Sequence, residues 1–212
     1  KQHIIPSRPV LVQIPGQEHV LHYEAIAVFA ALGFFLDRDT YWKDQAAVPP
    51  ATEYALNENG ELLHEKQYFE WHHTPRQISF ETAVEEFTEL FESSVKAFHH
   101  QKVILPLSGG LDSRSIAAAL LGHTNVQAYS YHFKGGIAES EYGKKIARAA
   151  GFPFQEFIIP EGYLWKDIER LARINGCYAE FTHPRQMYMY DALPGMGDVM
   201  VAGHGGDLFF DG

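Results

Sequence analysis

The sequence predicts an α/β protein in which a mainly parallel β-sheet is covered by helices on both faces, with a small N-terminal helix and hairpin appended. The strand-like runs that carry this prediction are VILPL at 103–107, VQAYSYHF at 126–133, FQEFII at 154–159 and DVMVA at 198–202. The helical patterns between them are SRSIAAALL at 113–121, SEYGKKIARAA at 140–150, the stripe of Leu164, Ile168, Leu171 and Ile174, and PRQMYMYDAL at 184–193. In sheets of this kind, ligands bind at the carboxyl ends of the strands.

Different patterns precede this alternating region. Residues 24–36 are apolar almost all round, which predicts a short buried helix. The turn residues NENG at 57–60 lie between two β-prone runs and predict a hairpin. From Phe80 onwards, apolar residues at steps of three and four predict a helix with one apolar face, and the glutamates opposite indicate a solvated surface rather than a cation site. We therefore expect an N-terminal appendage over residues 1–78 and a main domain over residues 79–212.

The composition excludes several classes of protein. The 212-residue chain is 46% hydrophobic, which is sufficient for a sizeable core, and its formal net charge of −10 argues against capture of a nucleic-acid backbone. No apolar run is long enough for a membrane span, and the N-terminal residues lack the pattern of a signal peptide. A single cysteine, Cys177, excludes internal disulfides and multi-cysteine zinc sites. We therefore expect a cytoplasmic, globular protein without a nucleic-acid or membrane partner.

The stretch ILPLSGGLDSRSIAAAL at 104–120 is the strongest candidate for a functional site. A tight bend at Ser108–Gly110 would direct backbone N–H groups outward, and the helix that begins near Asp112 would aim its positive end at the same point. This makes an anion cradle, to which Ser108 and Ser113 could add hydroxyl donors. Asp112 would repel a phosphate unless a divalent cation lay between them, which predicts a Mg²⁺ site. The alternatives are a plain turn after the strand and a role for Asp112 as helix N-cap.

Three segments resemble a known family. SGGLDS at 108–113 is similar to the pyrophosphate-binding loop of ATP pyrophosphatases. ESEYGKKIARAAG at 139–151 and AGHGGDLFFDG at 202–212 are similar to segments of the asparagine synthetase family, whose synthetase domain the chain resembles over most of its length. The resemblance implies a Rossmann-like PP-loop ATP pyrophosphatase fold that uses ATP and Mg²⁺. It also implies that a carboxylate, aspartate or a related acid, is adenylated with release of pyrophosphate, and that ammonia or another amine then forms the amide.

The resemblance assigns roles to residues of both glycine-rich segments. It implies that Ser108, Gly109, Gly110 and Ser113 hold the pyrophosphate portion, that Leu107 and Tyr131 line the adenine pocket, that Gly203 approaches the nucleotide, and that Asp112 and Asp207 share the metal. The catalytic candidates are His204 and Asp207. His204 replaces an acidic residue that the family links to amide formation, so it could act as a base or indicate a different nucleophile, another acid or lost activity. Leu208 and Asp211–Gly212 also depart from the family pattern, so this end of the site has diverged.

The resemblance also suggests partners. Complete family members begin with a glutaminase domain whose first residue is a nucleophilic cysteine, whereas this chain begins at Lys1, so we expect a glutaminase domain or subunit to supply ammonia. The N-terminal residues are consistent with the tail of such a domain, and the family's synthetase domain continues beyond the segment that ends at Gly212, which indicates a fragment or a truncated member. A homodimer is a compatible assembly. The competing interpretation is a degenerate or regulatory nucleotide-binding module without complete amidation chemistry.

Two further groups of polar residues are candidates for binding. The pairs His72–His73 and His99–His100 suggest a metal, but adjacent side chains point in different directions and no spaced partner completes a site. Arg185 lies in a segment that the family places near the acid substrate. It could contact a substrate carboxylate or be an exposed structural arginine.

Overall fold

The computed structural model describes residues 9–179, 181, 184–204 and 206. The helices are α1 (Tyr23–Leu32), α2 (Phe80–Lys96), α3 (Leu111–Ala119), α4 (Ser140–Ala150), α5 (Tyr163–Asn175) and α6 (Leu193–Met196), with a 3₁₀ turn at Arg185–Met189. The strands are β1 (Leu11–Gln13), β2 (Gln45–Ala47), β3 (Thr52–Leu56), β4 (Leu62–Gln67), β5 (Val103–Pro106), β6 (Val126–Phe133), β7 (Phe154–Ile159) and β8 (Val199–Met200). None of the described helices is both long and apolar enough to cross a membrane.

The chain divides into two compact units. The first contains the residues up to Pro75 together with Asp167–Pro184, and the second contains Arg76–Lys166 and the residues from Arg185 onwards. The division of the sequence into domains at residue 78 stays a prediction.

The second unit contains the predicted parallel sheet. In the described part of the chain its four strands run in the order β7-β6-β5-β8, and every neighbouring pair is parallel. Val103, Ile104 and Leu105 of β5 are all buried, as expected for an inner parallel strand that is covered on both faces. The predicted fold class, an α/β protein with a mainly parallel sheet covered by helices, is confirmed.

Side chains of the sheet enter two separate cores because successive residues of a strand face opposite sides. Val103 and Leu105 pack with buried residues of α2, α3 and α4 on one face. Ile104 packs on the other face with Tyr129, Ile159 and Met189, the last of which comes from the 3₁₀ turn. The two cores fix the sheet between its helices and hold its carboxyl edge in place.

The first unit contains two antiparallel strand pairs. β1 pairs with β2, and β3 pairs with β4 across the turn at residues 57–60, so the predicted hairpin is confirmed. Asn57 closes the turn, since its Oδ1 accepts the N–H groups of Asn59 and Glu61, each at 2.9 Å. Gly60 has a φ of 81°, which glycine adopts without strain.

The helix predicted over 24–36 is shorter and more exposed than expected. It ends at Leu32 because Gly33 takes a left-handed conformation with φ of 82° and donates its N–H to the carbonyl of Phe29. Ala25 is its one buried residue, and Tyr23 is 71% exposed. The prediction of a buried helix was wrong because an apolar composition does not itself bury a helix, and the described elements cover only one side of it.

The long helix from Phe80 is confirmed as α2. Ser79 caps it, since its Oγ accepts the N–H of Thr82 at 3.1 Å. Its apolar face packs on the sheet only near its C-terminal end, where Val95 is buried, whereas Phe80 is 78% exposed.

The helix predicted through PRQMYMYDAL is instead the 3₁₀ turn followed by α6. The N–H groups of Tyr190 and Ala192 donate to the carbonyls of Met187 and Met189, three residues earlier, so the segment is wound more tightly than an α-helix. Pro194 then lies in the first turn of α6, where its missing N–H is not needed.

Candidate functional site

The two glycine-rich segments meet at the carboxyl edge of the sheet. The chain passes from β5 through β6 to β7 on one side, whereas β8 lies on the other side of β5. This reversal creates a topological switch point between β5 and β8, which is where open α/β sheets bind ligands. The glycine bend, Ser108–Gly110, follows β5, and the segment Ala202–His204 follows β8. Both segments therefore border the same crevice.

A cavity of about 230 Å³ lies in this crevice. The sequence-predicted residues in its lining are Leu107, Ser108, Gly110, Asp112, Ser113, Tyr131, Gly203 and His204. Gly109 lies in the same bend, and Asp207 lies outside the described residues. The lining residues that sequence reasoning missed are Pro106, Tyr129, Ser130, Glu139, Gln186 and Ala202. A larger open groove of about 690 Å³ in the first unit contains none of the predicted site residues.

Serine hydroxyls hold the glycine bend together. The N–H of Gly110 donates to Ser108 Oγ at 3.1 Å, and the N–H of Ser108 donates to Ser113 Oγ at 3.2 Å. Ser113 is buried, and its Oγ lies 3.3 Å from the carbonyl oxygens of both Ser108 and Gly110. The expectation that the amides of this bend point outward is therefore wrong for Ser108 and Gly110, because hydroxyls already satisfy them. Ser113 is an internal brace of the bend.

The backbone N–H groups in the first turn of α3 are available to a ligand. The helix starts at Leu111 with Gly110 as N-cap, slightly earlier than predicted, and Asp112 lies inside the first turn, so the alternative of Asp112 as N-cap is wrong. In the described part of the chain, the N–H groups of Leu111, Asp112 and Ser113 have no hydrogen-bond partner. Three unsatisfied donors and the positive end of the helix dipole therefore face the crevice edge, an arrangement that attracts anions.

Asp112 lies directly against the segment that follows β8. A Cβ atom on Gly203 would lie 2.6 Å from the Cβ of Asp112, and a Cβ on Gly206 would lie 2.8 Å from Asp112 Oδ1. Real Cβ atoms do not approach other atoms so closely, so glycine is required at Gly203, where the obstructing atoms are the Cβ and backbone of Asp112; at Gly206 they belong to the carboxylate, which can rotate away. The two glycine-rich segments, which are far apart in sequence, thus enclose one carboxylate.

Two tyrosines of β6 line the cavity. Tyr129 and Tyr131 are two residues apart, so they share one face of the strand, and this spacing is a signal that could have identified Tyr129. Tyr129 is 1% exposed, and its hydroxyl has no hydrogen-bond partner among the described residues. Burial, with a smaller contribution from Tyr131, raises the pKa of Tyr129 to about 12. A buried, unpaired hydroxyl at the wall of a cavity can be satisfied by a bound ligand.

A second cavity of about 340 Å³ adjoins the first and shares Tyr131 and Glu139 with it. Arg185 lines this second cavity, with its guanidinium 5.9 Å from the centre of the Phe133 ring. The guanidinium forms no ion pair with a described residue. Burial raises the pKa of Tyr163, and the positive charge of Arg185 partly offsets this increase. Arg185 therefore has donors for an anionic ligand beside the first cavity.

Neither histidine pair is in the lining of the first cavity. The rings of His99 and His100 have centroids 3.5 Å apart, and His99 Nδ1 lies 2.7 Å from the carbonyl oxygen of Lys96 at the end of α2. Within the described ranges, no group of three or more His, Cys, Asp or Glu side chains could hold a metal ion by itself. His72 Nδ1 lies 3.2 Å from the carbonyl oxygen of Glu70 on an exposed segment.

Comparison with known proteins gives a family match and several similar solved structures. The sequence model of the asparagine synthase family matches residues 86–212. A solved NH3-dependent NAD synthetase from Campylobacter jejuni, in complex with nitrate, has 18% identity and a TM-score of 0.40 over 63% of this chain and 61% of its own. A glutamine-dependent NAD⁺ synthetase from Acinetobacter baumannii, in complex with ADP, has 19% identity and a TM-score of 0.38 over 74% of this chain and 31% of its own. The chain thus spans less than two thirds of either structure. The comparison with curated proteins found no match.

Proposed function

Because the chain belongs to the asparagine synthase family, we propose that it contains an ATP-dependent ligase domain, which activates a carboxylate with ATP and joins it to ammonia or another amine. The observation that carries the proposal is the convergence on Asp112 of the glycine bend, the first turn of α3 and the glycines after β8. Adenylation of a carboxylate releases pyrophosphate, so negative charge grows on the leaving group. Backbone donors that are fixed in advance near that charge typically increase rates by ~10²–10³ each.

The phosphates of ATP would bind at the glycine bend. The unsatisfied N–H groups of Leu111, Asp112 and Ser113 are the main donors, and the lack of side chains at Gly109 and Gly110 lets Tyr142 and Ser108 pack closely against the bend that presents them. Ser108 and Ser113 contribute indirectly, because their hydroxyls fix the shape of the bend.

The residues at this site fit a magnesium ion. Mg²⁺ is usually held by one or two carboxylates together with substrate phosphates, and Asp112 presents a carboxylate next to the phosphate donors. When bound, the ion neutralises charge on the phosphate oxygens and on the leaving group. Asp112 would hold it together with Asp207, which lies in the same glycine-rich segment as Gly203 and outside the described residues.

The nucleoside would occupy the part of the cavity beside β6. Leu107 is buried at the end of the strand run, and Tyr131 and Tyr129 form the adjacent wall, so we assign them to the adenine pocket. Gly203 borders the same space, and the unpaired hydroxyl of Tyr129 is available to a polar atom of the nucleoside. The proposed adenine pocket therefore includes Tyr129, which the sequence did not identify, in addition to Leu107 and Tyr131.

The acid and the amine would meet beside the nucleotide. Arg185, which has no ion partner among the described residues, is placed to hold a carboxylate in the adjoining cavity. His204 is exposed at the edge of the nucleotide cavity and is our candidate for the base that takes a proton from the attacking amine, with Asp207 as its partner in catalysis. A glutaminase domain or subunit as the ammonia source, a cytoplasmic location and a homodimer remain predictions.

One feature favours a second function, a nucleotide-binding module that lacks amidation chemistry. His204 stands where the family has an acidic residue linked to amide formation, so the second half of the reaction could be absent. Such a module would still need the phosphate and metal sites around Asp112.

An exchange assay separates the two functions. The purified chain is incubated with ATP, Mg²⁺, labelled pyrophosphate and a panel of acids that includes aspartate, and ATP binding is measured in parallel by calorimetry. We expect acid-dependent exchange of label into ATP. Binding of ATP without exchange for any acid would identify the binding module, and a chain that does not bind ATP at all would refute both.

A further inference from the structure

A part-buried cluster of polar side chains links β6, α4 and β7: Ser140 is buried, whereas the side chains of His132 and Glu156 are 16% and 32% exposed. Ser140 is 0% exposed, and its Oγ donates to Glu156 Oε1 at 2.5 Å. His132 Nδ1 lies 2.8 Å from the same Oγ and 3.4 Å from Glu156 Oε1. Because the serine hydrogen is given to the carboxylate, the serine oxygen accepts from the His132 Nδ1–H. The three side chains therefore form one chain of hydrogen bonds, and the family resemblance assigns no role to any of them.

This cluster holds the first turn of α4. The buried residues of that helix are Ser140, Gly143 and Ala147, and of these only Ala147 belongs to the apolar core. Tyr142, the one large side chain near the start of the helix, is 59% exposed. The first turn therefore contributes no residue to the apolar core, and the hydrogen bonds of Ser140 help to hold it on the sheet.

The first turn of α4 in turn supports the glycine bend. A Cβ on Gly143 would lie 2.2 Å from the carbonyl oxygen of Leu107, and a Cβ on Gly109 would lie 3.2 Å from the Cβ of Tyr142. Backbone of α4 is thus in direct contact with the residue before the bend, and a side chain of α4 packs against its first glycine. A movement of this turn would be transmitted to the bend, because packed groups at such distances leave no free space.

We infer that His132, Ser140 and Glu156 are positioning residues that fix α4 so that the glycine bend fits the phosphates of a nucleotide. The inference rests on the proposed function, since it requires a nucleotide in the neighbouring cavity. A part-buried polar cluster with no such role would contribute little, because solvent screens the interaction of its charged groups. The positioning role predicts instead that the cluster affects the binding of phosphates and not that of the nucleoside.

The test compares three ligands on the same variants. Affinities for ATP, inorganic pyrophosphate and adenosine are measured by calorimetry in Mg²⁺ for the wild type and for Ser140→Ala. We expect ATP and pyrophosphate to bind about tenfold more weakly, equivalent to about 1.4 kcal/mol, and adenosine to change by less than about twofold. His132→Ala should have the same effect. His132→Asn, whose amide N–H can replace Nδ1–H, and Glu156→Gln, whose carbonyl oxygen can still accept, should retain most of the affinity.

A matched control removes an equally buried hydroxyl elsewhere. Thr40 is 0% exposed in the first unit and donates to the carbonyl of Trp42 at 2.9 Å, so Thr40→Ala should lower the melting temperature and leave all three affinities unchanged. Unchanged binding of ATP and pyrophosphate by Ser140→Ala would overturn the inference while the proposed function stands. An equal loss for adenosine would overturn it as well, because that result indicates general damage. A wild-type chain that binds neither ATP nor pyrophosphate would remove both proposals. If Ser140→Ala does not fold, the pair His132→Ala and His132→Asn gives the same comparison.

Discussion

The contact between Gly203 and Asp112 predicts the effect of one added methyl group. In Gly203→Ala the new Cβ would lie 2.6 Å from Asp112 Cβ and 3.1 Å from the Asp112 carbonyl carbon. Since ordinary contact begins near 3.4 Å, the two segments must separate by roughly 0.8 Å, and the obstructing atoms belong to the backbone and the Cβ, which cannot rotate away. The first turn of α3 would therefore move relative to the phosphates. Misplacement of about 1 Å can cost ~10²-fold in rate, and overpacking of this kind costs about 1–3 kcal/mol of stability.

Acid-dependent exchange of pyrophosphate into ATP measures this effect, and thermal unfolding measures the stability. Gly195→Ala is the matched control, because a Cβ on Gly195 in α6 would have no atom within 4 Å. We expect the control to retain wild-type exchange and Gly203→Ala to lose about 99% of it. Wild-type exchange by Gly203→Ala, or an equal loss in both variants, would refute the argument that this contact positions α3.

Three further predictions follow from the same site. Asp112→Asn should abolish the Mg²⁺ dependence of ATP binding while the melting temperature stays near that of the wild type; calorimetry with and without Mg²⁺ measures it, and a dependence that persists would contradict a metal role for Asp112. Arg185→Gln should raise the KM for the acid by roughly ten- to a hundredfold without changing the KM for ATP, because a charged hydrogen bond worth about 1.5–3 kcal/mol is lost. Arg173→Gln, at an exposed surface pair with Glu169, is the control, and an unchanged KM for the acid would exclude Arg185 from its binding. Tyr129→Phe removes a buried hydroxyl that has no partner among the described residues, so it should not lower the stability below pH 10, and its advantage over the wild type should grow at higher pH. The Tyr129 phenol has a pKa of about 12 in the folded chain against 10.0 otherwise, so the stability that depends on its protonation is complete below pH 10 and is lost as the pH rises towards 12. Denaturant unfolding should then show that the wild type loses about 2–3 kcal/mol in that range relative to Tyr129→Phe, and parallel curves would refute the assignment.

The strands of the second unit were predictable because their signals are local. The runs at 126–133 and 154–159 coincide with β6 and β7, and the run at 103–107 exceeds β5 by one residue. Each is an apolar, β-prone run bounded by turn residues, so the sequence itself marks both ends. The last run, 198–202, was predicted too long: β8 covers only Val199–Met200. Its length depends on how far it pairs with β5, which no local pattern records.

Sequence motifs identified part of the lining of the candidate site but not its internal bonding. The glycine pair and Asp112 identify the bend from sequence, since few other functions require that combination after a strand. Nothing in the sequence indicates that the hydroxyls of Ser108 and Ser113 would satisfy two of the amides in the bend. Gln186 also lines the cavity, although it lies some eighty residues after the glycine bend in the chain. Only the fold brings Gln186 and the bend together.

The position of Asp112 bears on whether the site exists for function or only for stability. A carboxylate in the first turn of a helix is favourable by itself, because it interacts with the positive end of the dipole, typically by about 0.3–1 kcal/mol. That benefit requires no close neighbour, and a solvated side chain would obtain it. Gly203 nevertheless brings a second backbone segment against this residue, and a glycine increases the entropy cost of folding. A purely structural acid does not explain this close approach, whereas a carboxylate that shares a ligand with the segment after β8 does, so the contact supports our proposal that the phosphates bind between α3 and β8.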